Sequence, residues 1–209
     1  MQTTFNHILD LCQKFNEDLT HIVFIGGVAV YLHWMERTRP DMEPDVSHDA
    51  DFMISLAEYG ILKDAEEITP TARLAKHQMI VDGVEFDIYV ERLHRLVVPY
   101  DEAFTHSIEI EHTRVACLEH LLVLKLEALE SRGHSSKGEK DRRDVVRIGL
   151  LLGRKLDRSL IDTYMRKDLI GLLHDLAKST IFFDMCEHNA HAAKKARSAF
   201  STFTSNLSR

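Results

Sequence analysis

The sequence predicts an α+β fold, a small mixed sheet with flanking helices followed by a C-terminal helical region. Three observations predict it. Apolar Ile22-Val23-Phe24-Ile25 runs into Gly26-Gly27 and then into a helical pattern, which is the order strand, tight turn, helix. Two further strand-like stretches flank Asp82-Gly83, a dipeptide that favours the left-handed conformations of a two-residue hairpin turn. From Cys117 onward the apolar residues recur almost without interruption at helical spacing. The expected division is an α/β domain over residues 1–115 and a helical domain over residues 116–209. A chain of 209 residues has room for this and for little more.

Composition narrows the class. The chain is 44% hydrophobic and 28% charged, which is the balance of a soluble globular protein and not of a disordered one. No apolar run reaches the roughly 18 residues that span a bilayer. The first residues lack the basic-then-apolar layout of a signal peptide. Cys12, Cys117 and Cys186 are odd in number, far apart and free of a CxxC spacing, so a disulfide framework is not expected. The expectation is a cytoplasmic protein with reduced thiols and no membrane partner. The net charge of −7 hides an asymmetry. Residues 1–130 carry 10 Lys and Arg against 24 Asp and Glu, a balance of −14, whereas residues 131–209 carry 16 against 9, a balance of +7. The basic part could draw in a polyanion such as a nucleotide or RNA, dock on the chain's own acidic half, or meet an acidic partner.

Residues 4–19 read as an amphipathic helix through Phe5, Ile8, Leu9, Cys12 and Phe15. The buried strand 22–25 follows, and a helix over 28–37 comes after Gly26-Gly27. Glycines there allow a tight turn and let a phosphate approach the main-chain N–H groups of a helix start. Residues 36–48 hold two prolines and several charges and read as a mobile surface loop. Asp49 to Ile54 is a strand, residues 58–75 a loop or short helix, and 78–81 and 84–90 the two arms of the hairpin. Ser107 to Glu111 offers one more strand. A helix covers 117–131, a flexible basic linker 132–140, and further helices run from Lys140 to Leu151, near 157–178 and near 182–204. The linker is no P-loop, because Glu139 stands where the lysine of that motif belongs and a helix precedes it. Cys186, His188 and His191 do not converge on one helical face and are not read as metal ligands.

The chemistry centres on Asp49-Ala50-Asp51. Residues i and i+2 of a strand point to one face, so the two carboxylates project together while Ala50, Phe52 and Ile54 face the other way. Like charges so placed repel unless a cation sits between them, and hard oxygen ligands suit Mg²⁺. Two solvated acids at the mouth of a strand are the plain alternative. Asp87 lies within a well-patterned strand, on the face of Glu85 and Tyr89, and serves equally as a solvent-facing acid or a third ligand. In the helix 117–131, Leu118, Leu121, Leu122 and Leu129 form a stripe with Lys125 in its middle. A lysine there either reaches past the core to solvent or contacts an anion such as a phosphate.

Taken in order, these features resemble the nucleotidyltransferase superfamily of the DNA polymerase beta type: strand, Gly26-Gly27, helix, Asp49-Ala50-Asp51, Asp87, then Lys125 on a helix. Lys125-Leu126-Glu127-Ala128-Leu129, Arg132 and Lys140-Asp141-Arg142-Arg143-Asp144 are similar to the helical motif of its AbiEii-like toxin branch, which belongs to toxin–antitoxin systems. The resemblance covers roughly residues 20–150. It departs at the acidic loop, where Ser47-His48 directly precedes the acids and Arg37 and Arg39 stand well upstream, and at Ala50, where a larger apolar residue is usual. What the resemblance implies is a nucleotidyltransferase fold and transfer of a nucleoside monophosphate from an NTP to an acceptor hydroxyl. Asp49, Asp51 and Asp87 would be the catalytic, metal-holding residues, with two Mg²⁺ ions or Mn²⁺. Gly26, Gly27, Lys125, Arg132, Lys140 and Asp141 would bind the nucleotide, with Asp144 beside them. The acceptor would be an RNA such as a tRNA end, and an antitoxin protein would be a partner. Two alternatives stand beside this: a non-catalytic, antitoxin-like interaction protein of the same fold, and a nucleotidyltransferase acting on small antibiotics.

Overall fold

The computed structural model describes residues 4–37, 42–71 and 76–207. The chain divides into two compact units, one of Met1–Leu32 and Val46–Cys117, the other of His33–Asp45 and Leu118–Arg209.

The first unit holds every strand among the described residues. In chain order they are β1 (Ile22–Ile25), β2 (Asp49–Ile54), β3 (Thr69–Thr71), β4 (Lys76–Val81), β5 (Val84–Val90), β6 (Ile108–Ile110) and β7 (Thr113–Val115). They form one sheet in the order β3-β4-β5-β2-β1-β7-β6. The sheet is mixed, as expected: β2 runs parallel to β5 and β1 parallel to β7, and the other pairings are antiparallel. Helix α1 (Phe5–Asp18) covers one face. Its Phe15 ring lies 5.0 Å from that of Phe86 and 6.3 Å from that of Phe52, and Phe24 meets Phe52 edge-on at 5.7 Å. These aromatic residues are the even-numbered positions of β1, β2 and β5, so the odd-numbered ones are turned to the opposite face.

Local sequence explains most boundaries. Asp82 and Gly83, at φ 51° and 81°, make the two-residue turn between β4 and β5. Where one strand was expected over 107–111 there is a second small hairpin, β6–β7. Glu111 and His112 both adopt positive φ in its turn, although neither is a residue that signals one. Residues 56–65 form the full helix α3 (Leu56–Ala65), because Ser55 accepts the Glu58 N–H at 3.2 Å and caps it. The Glu58 carboxylate in turn accepts the N–H groups of Thr20 and His21 at 2.8 and 2.7 Å, which ties α3 to the head of β1. A further short helix, α4 (Tyr100–Thr105), precedes β6. Helix α2 (Gly26–Glu36) begins at Gly26 itself, so both glycines lie in its first turn, and its residues from His33 on belong to the second unit.

The second unit is helical: α5 (Leu118–Arg132), α6 (Ser136–Leu152), a 3₁₀ turn at Arg158–Leu160, α7 (Lys167–Lys178), α8 (Ile181–Met185) and α9 (Ala190–Leu207). Helix α6 starts four residues earlier than the basic linker allowed. Ser135 accepts the Gly138 N–H at 3.1 Å, and Gly138 packs so closely on the Gly133 carbonyl that a side chain there would overlap it. The expected helix near 182–204 breaks between α8 and α9 at Glu187 and His188, both at positive φ. Phe200 and Phe203 of α9 press on Gly149 of α6, where an added Cβ would stand 2.5 Å from Phe200 Cε2 and 2.9 Å from Phe203 Cδ1. Described residues of the loop expected to be mobile make hydrogen bonds to helices α2 and α6. Trp34 Nε1 donates to the Met42 carbonyl at 3.1 Å, and Arg147 donates to the Glu43 carbonyl at 2.7 Å.

Candidate active site

The parallel register of β2 and β5 sets Asp51 opposite Asp87 and Asp49 opposite Glu85. The hairpin turn fixes β4 against β5 so that Gln78 lies opposite Asp87. Lys76, two residues before Gln78, shares its face. The odd-numbered acids of β2 and β5 and the even-numbered Lys76 and Gln78 of β4 therefore gather on the face turned away from α1. Four carboxylates and one ammonium lie on that face, on strands whose other side is Ala50, Phe52, Phe86, Ile88 and Met79, all buried.

Asp51 stands at the junction of β1 and α2. It pairs in register with Ile25, and its carboxylate lies against Gly26. Gly26 has φ +68°, and an added Cβ would overlap Asp51 Oδ2 and stand 2.8 Å from its Cγ and 3.1 Å from its Cβ. Only glycine satisfies both the backbone and the neighbour here. Gly27, the next residue of α2, is buried. The first N–H groups of a helix have no partner within it and favour an anion. Asp49 is half-buried, and its Oδ1 accepts the hydroxyl of the buried Ser47 at 2.9 Å.

Asp87 has a different environment. It is buried, and its Oδ2 forms an ion pair with the Lys76 ammonium, itself only 7% exposed. Its Oδ1 accepts Gln78 Nε2 at 2.8 Å. The Gln78 amide is oriented from its far end, where Oε1 accepts the Thr71 hydroxyl at 2.9 Å, and Nε2 also donates to Glu85 Oε1 at 2.6 Å. Among the described residues no three His, Cys, Asp or Glu side chains come together as a metal site. The pair Asp49 and Asp51 suits one Mg²⁺, which usually takes one or two carboxylates together with substrate phosphates. Asp87 has one carboxylate oxygen on an ammonium and the other on an amide.

Other expected site residues belong to the second unit. Lys125 is buried in the α5 stripe, and its ammonium lies 3.0 Å from Asp141 Oδ1 and 2.7 Å from Asp144 Oδ2 on α6. It finds its anions within its own helix pair. Arg132, half-exposed, donates to Asp141 Oδ2 at 2.8 Å, and Lys140 is half-buried on α6. Arg143, part of the helical motif but given no role there, and Arg147, which sequence reasoning passed over, extend this network: they donate to Asp45 Oδ2 at 2.6 and 2.9 Å. Burial works to raise the Asp45 carboxyl, but the hydrogen bonds and charges of Arg143 and Arg147 outweigh it and hold the group below the ordinary carboxylate range. Arg37 donates to the Leu151 carbonyl at 3.0 Å; Arg39 lies outside the described residues.

Lys76 is the other residue missed, and a signal for it existed. A two-residue turn at Asp82-Gly83 dictates the pairing of Gln78 with Asp87, and period-two alternation then brings Lys76 to the same face.

No protein family's sequence profile matches the chain. No curated protein matches it in sequence. Solved structures do match in fold. JHP933 from Helicobacter pylori is 15% identical, at a TM-score of 0.55, over 98% of this chain and 92% of its own. A second H. pylori protein, assigned as a nucleotidyltransferase, is 14% identical at a TM-score of 0.53, over 98% of this chain and 95% of its own. The α+β fold expected from the sequence, with its mixed sheet and flanking helices, is the one found. Among the described residues no helix is long and apolar enough to cross a membrane.

Proposed function

We propose that the chain is a nucleotidyltransferase, moving a nucleoside monophosphate from an NTP to an acceptor hydroxyl. One observation carries the reading: Asp49 and Asp51 share a face with Asp87, directly beside a helix whose first residue must be glycine because the Asp51 carboxylate lies against it. The likeness in fold to a protein assigned as a nucleotidyltransferase supports it. The acceptor oxygen bonds to the α-phosphorus, the bond from that phosphorus to the bridging oxygen breaks, and pyrophosphate leaves while the hydroxyl proton passes to a base. Asp49 and Asp51 would hold Mg²⁺ or Mn²⁺, which when bound neutralises charge on the phosphates. Ser47 fixes the Asp49 carboxylate through its hydroxyl. Gly26 leaves room for the Asp51 carboxylate at the first turn of α2, where the helix start favours an anion such as a phosphate held through the metal. The basic balance of residues 131–209 favours a polyanionic acceptor, an RNA such as a tRNA end, over a small antibiotic. A toxin held in check by an antitoxin protein is the cellular setting that this activity would fit.

The test is thermal unfolding with each NTP, with and without Mg²⁺. The melting temperature rises only when both are present, and the rise is absent in Asp49→Ala/Asp51→Ala. The variants Arg132→Ala and Lys140→Ala weaken the response if these side chains serve the nucleotide as the family resemblance implies. A rise from NTP without metal, or none with any NTP, contradicts the proposal. One observation favours a second reading, a non-catalytic member that binds a partner: the engagement of Asp87 by Lys76 and Gln78. In that case no NTP shifts the melting temperature.

A further inference from the structure

We propose that the Lys76 ammonium is the permanent cation of the third carboxylate, so that this site takes one divalent ion, on Asp49 and Asp51, and not two. The inference rests on the nucleotidyltransferase reading and assigns Lys76 as a positioning residue within it.

The argument starts from burial. Lys76 is 7% exposed and Asp87 is 4% exposed. A buried charge persists only when an opposite charge and hydrogen bonds compensate for lost water, and each of these groups supplies the other's compensation. The pair is also fixed by its neighbours. Lys76 is held in β4, opposite Thr71 of β3, and the Thr71 hydroxyl orients the Gln78 amide toward Asp87. The ammonium and the amide thus take one oxygen each. A metal ion approaching Asp87 would have to displace, or crowd against, a positive charge already seated in a site of low dielectric.

The lysine is part of the chain and does not leave as a bound ion can, so it keeps Asp87 oriented in the absence of metal. Asp87 then acts as the anchor of Lys76 and not as a metal ligand.

The closing experiment counts Mn²⁺ ions bound to the full chain by electron paramagnetic resonance and titration calorimetry, with and without a non-hydrolysable NTP analogue. The wild type binds one ion beyond any carried by the analogue alone, and Lys76→Met binds two. Because Lys76→Met leaves a buried carboxylate unpaired and could fail to fold, Asp87→Asn provides the second arm. It retains the single ion with its affinity changed by no more than about 100-fold, the upper end of the scale for loss of an indirect contact. Two ions on the wild type, one ion on folded Lys76→Met, or a larger loss of affinity in Asp87→Asn overturns the inference and leaves the nucleotidyltransferase reading standing. If NTP and metal stabilise neither the wild type nor the variants and no ion binds, that reading fails and the inference with it.

Discussion

Replacing Gly26 by alanine perturbs the junction on which the site depends. The residue sits at φ +68°, and the left-handed conformation costs an L-residue about 1–2 kcal/mol. The new methyl would overlap Asp51 Oδ2, and rotation of that carboxylate still leaves Asp51 Cβ in tight contact at 3.1 Å. Forcing an extra carbon into a packed position costs about 1–3 kcal/mol. The two effects together lower stability by about 2–5 kcal/mol. Gly60 provides the opposite control. It lies inside α3 with nothing within 4 Å of an added Cβ, so alanine there raises stability by about 0.5–1 kcal/mol through helix propensity. Urea unfolding followed by circular dichroism measures both. The Gly26 variant should also lose the Mg²⁺-dependent response to NTP. A Gly26→Ala protein within about 0.5 kcal/mol of wild type, responding normally to nucleotide, would refute the placement of Asp51 against the helix start.

Three other perturbations separate the parts of the account. Lys125→Met strands Asp141 and Asp144 inside the α5–α6 pair and lowers stability by about 2–4 kcal/mol, below the largest values for broken buried pairs because Arg132 and Arg147 remain; a loss under about 1 kcal/mol in urea unfolding contradicts the buried network. Asp45 is held below the carboxylate range, so its contribution to stability is fully present above the unfolded value near 3.9 and is lost as pH falls through the folded one. Asp45→Asn therefore flattens the acid limb of the stability profile, and an unchanged limb counts against the Arg143 and Arg147 pairing. His77 and His94 face each other across 3.1 Å, and burial lowers both, with the Lys63 charge adding to His77 and the His77 charge to His94. Their neutral forms stabilise the fold above the unfolded value near 6.5, and this support is lost as pH falls toward the folded values. Proton NMR titration should place both below 6.5, and a value above it for either contradicts the arrangement.

Much of the sheet was legible because its chemistry is local. Asp82-Gly83 announced the central hairpin, strict alternation from Val84 to Val90 assigned its faces, and the Asp49-Ala50-Asp51 spacing placed two carboxylates together. The β6–β7 hairpin stayed hidden because Glu111 and His112 turn it with residues that favour other conformations. The start of α6 was masked by Gly138, a poor helix former that is present because it packs on the Gly133 carbonyl. Helix α5 displayed the anomaly of Lys125, but periodicity along one helix cannot say which anion a buried ammonium meets. That depended on Asp141 and Asp144 arriving from α6. Asp45 was invisible for the same reason: an acid in a proline-containing loop looks solvated until Arg143 and Arg147 are brought to it. At Asp87 the hairpin register held the answer, and following it two residues back leads to Lys76.

The central claim is catalytic, and transfer of label tests it most directly. The full chain is incubated with each α-labelled NTP and Mg²⁺, with total RNA or cell lysate as the source of acceptor. The account predicts Mg²⁺-dependent movement of label from one or more NTPs onto a macromolecular acceptor, with release of pyrophosphate and loss of transfer in Asp51→Ala. Absence of transfer from every NTP, or undiminished transfer by Asp51→Ala, would contradict it.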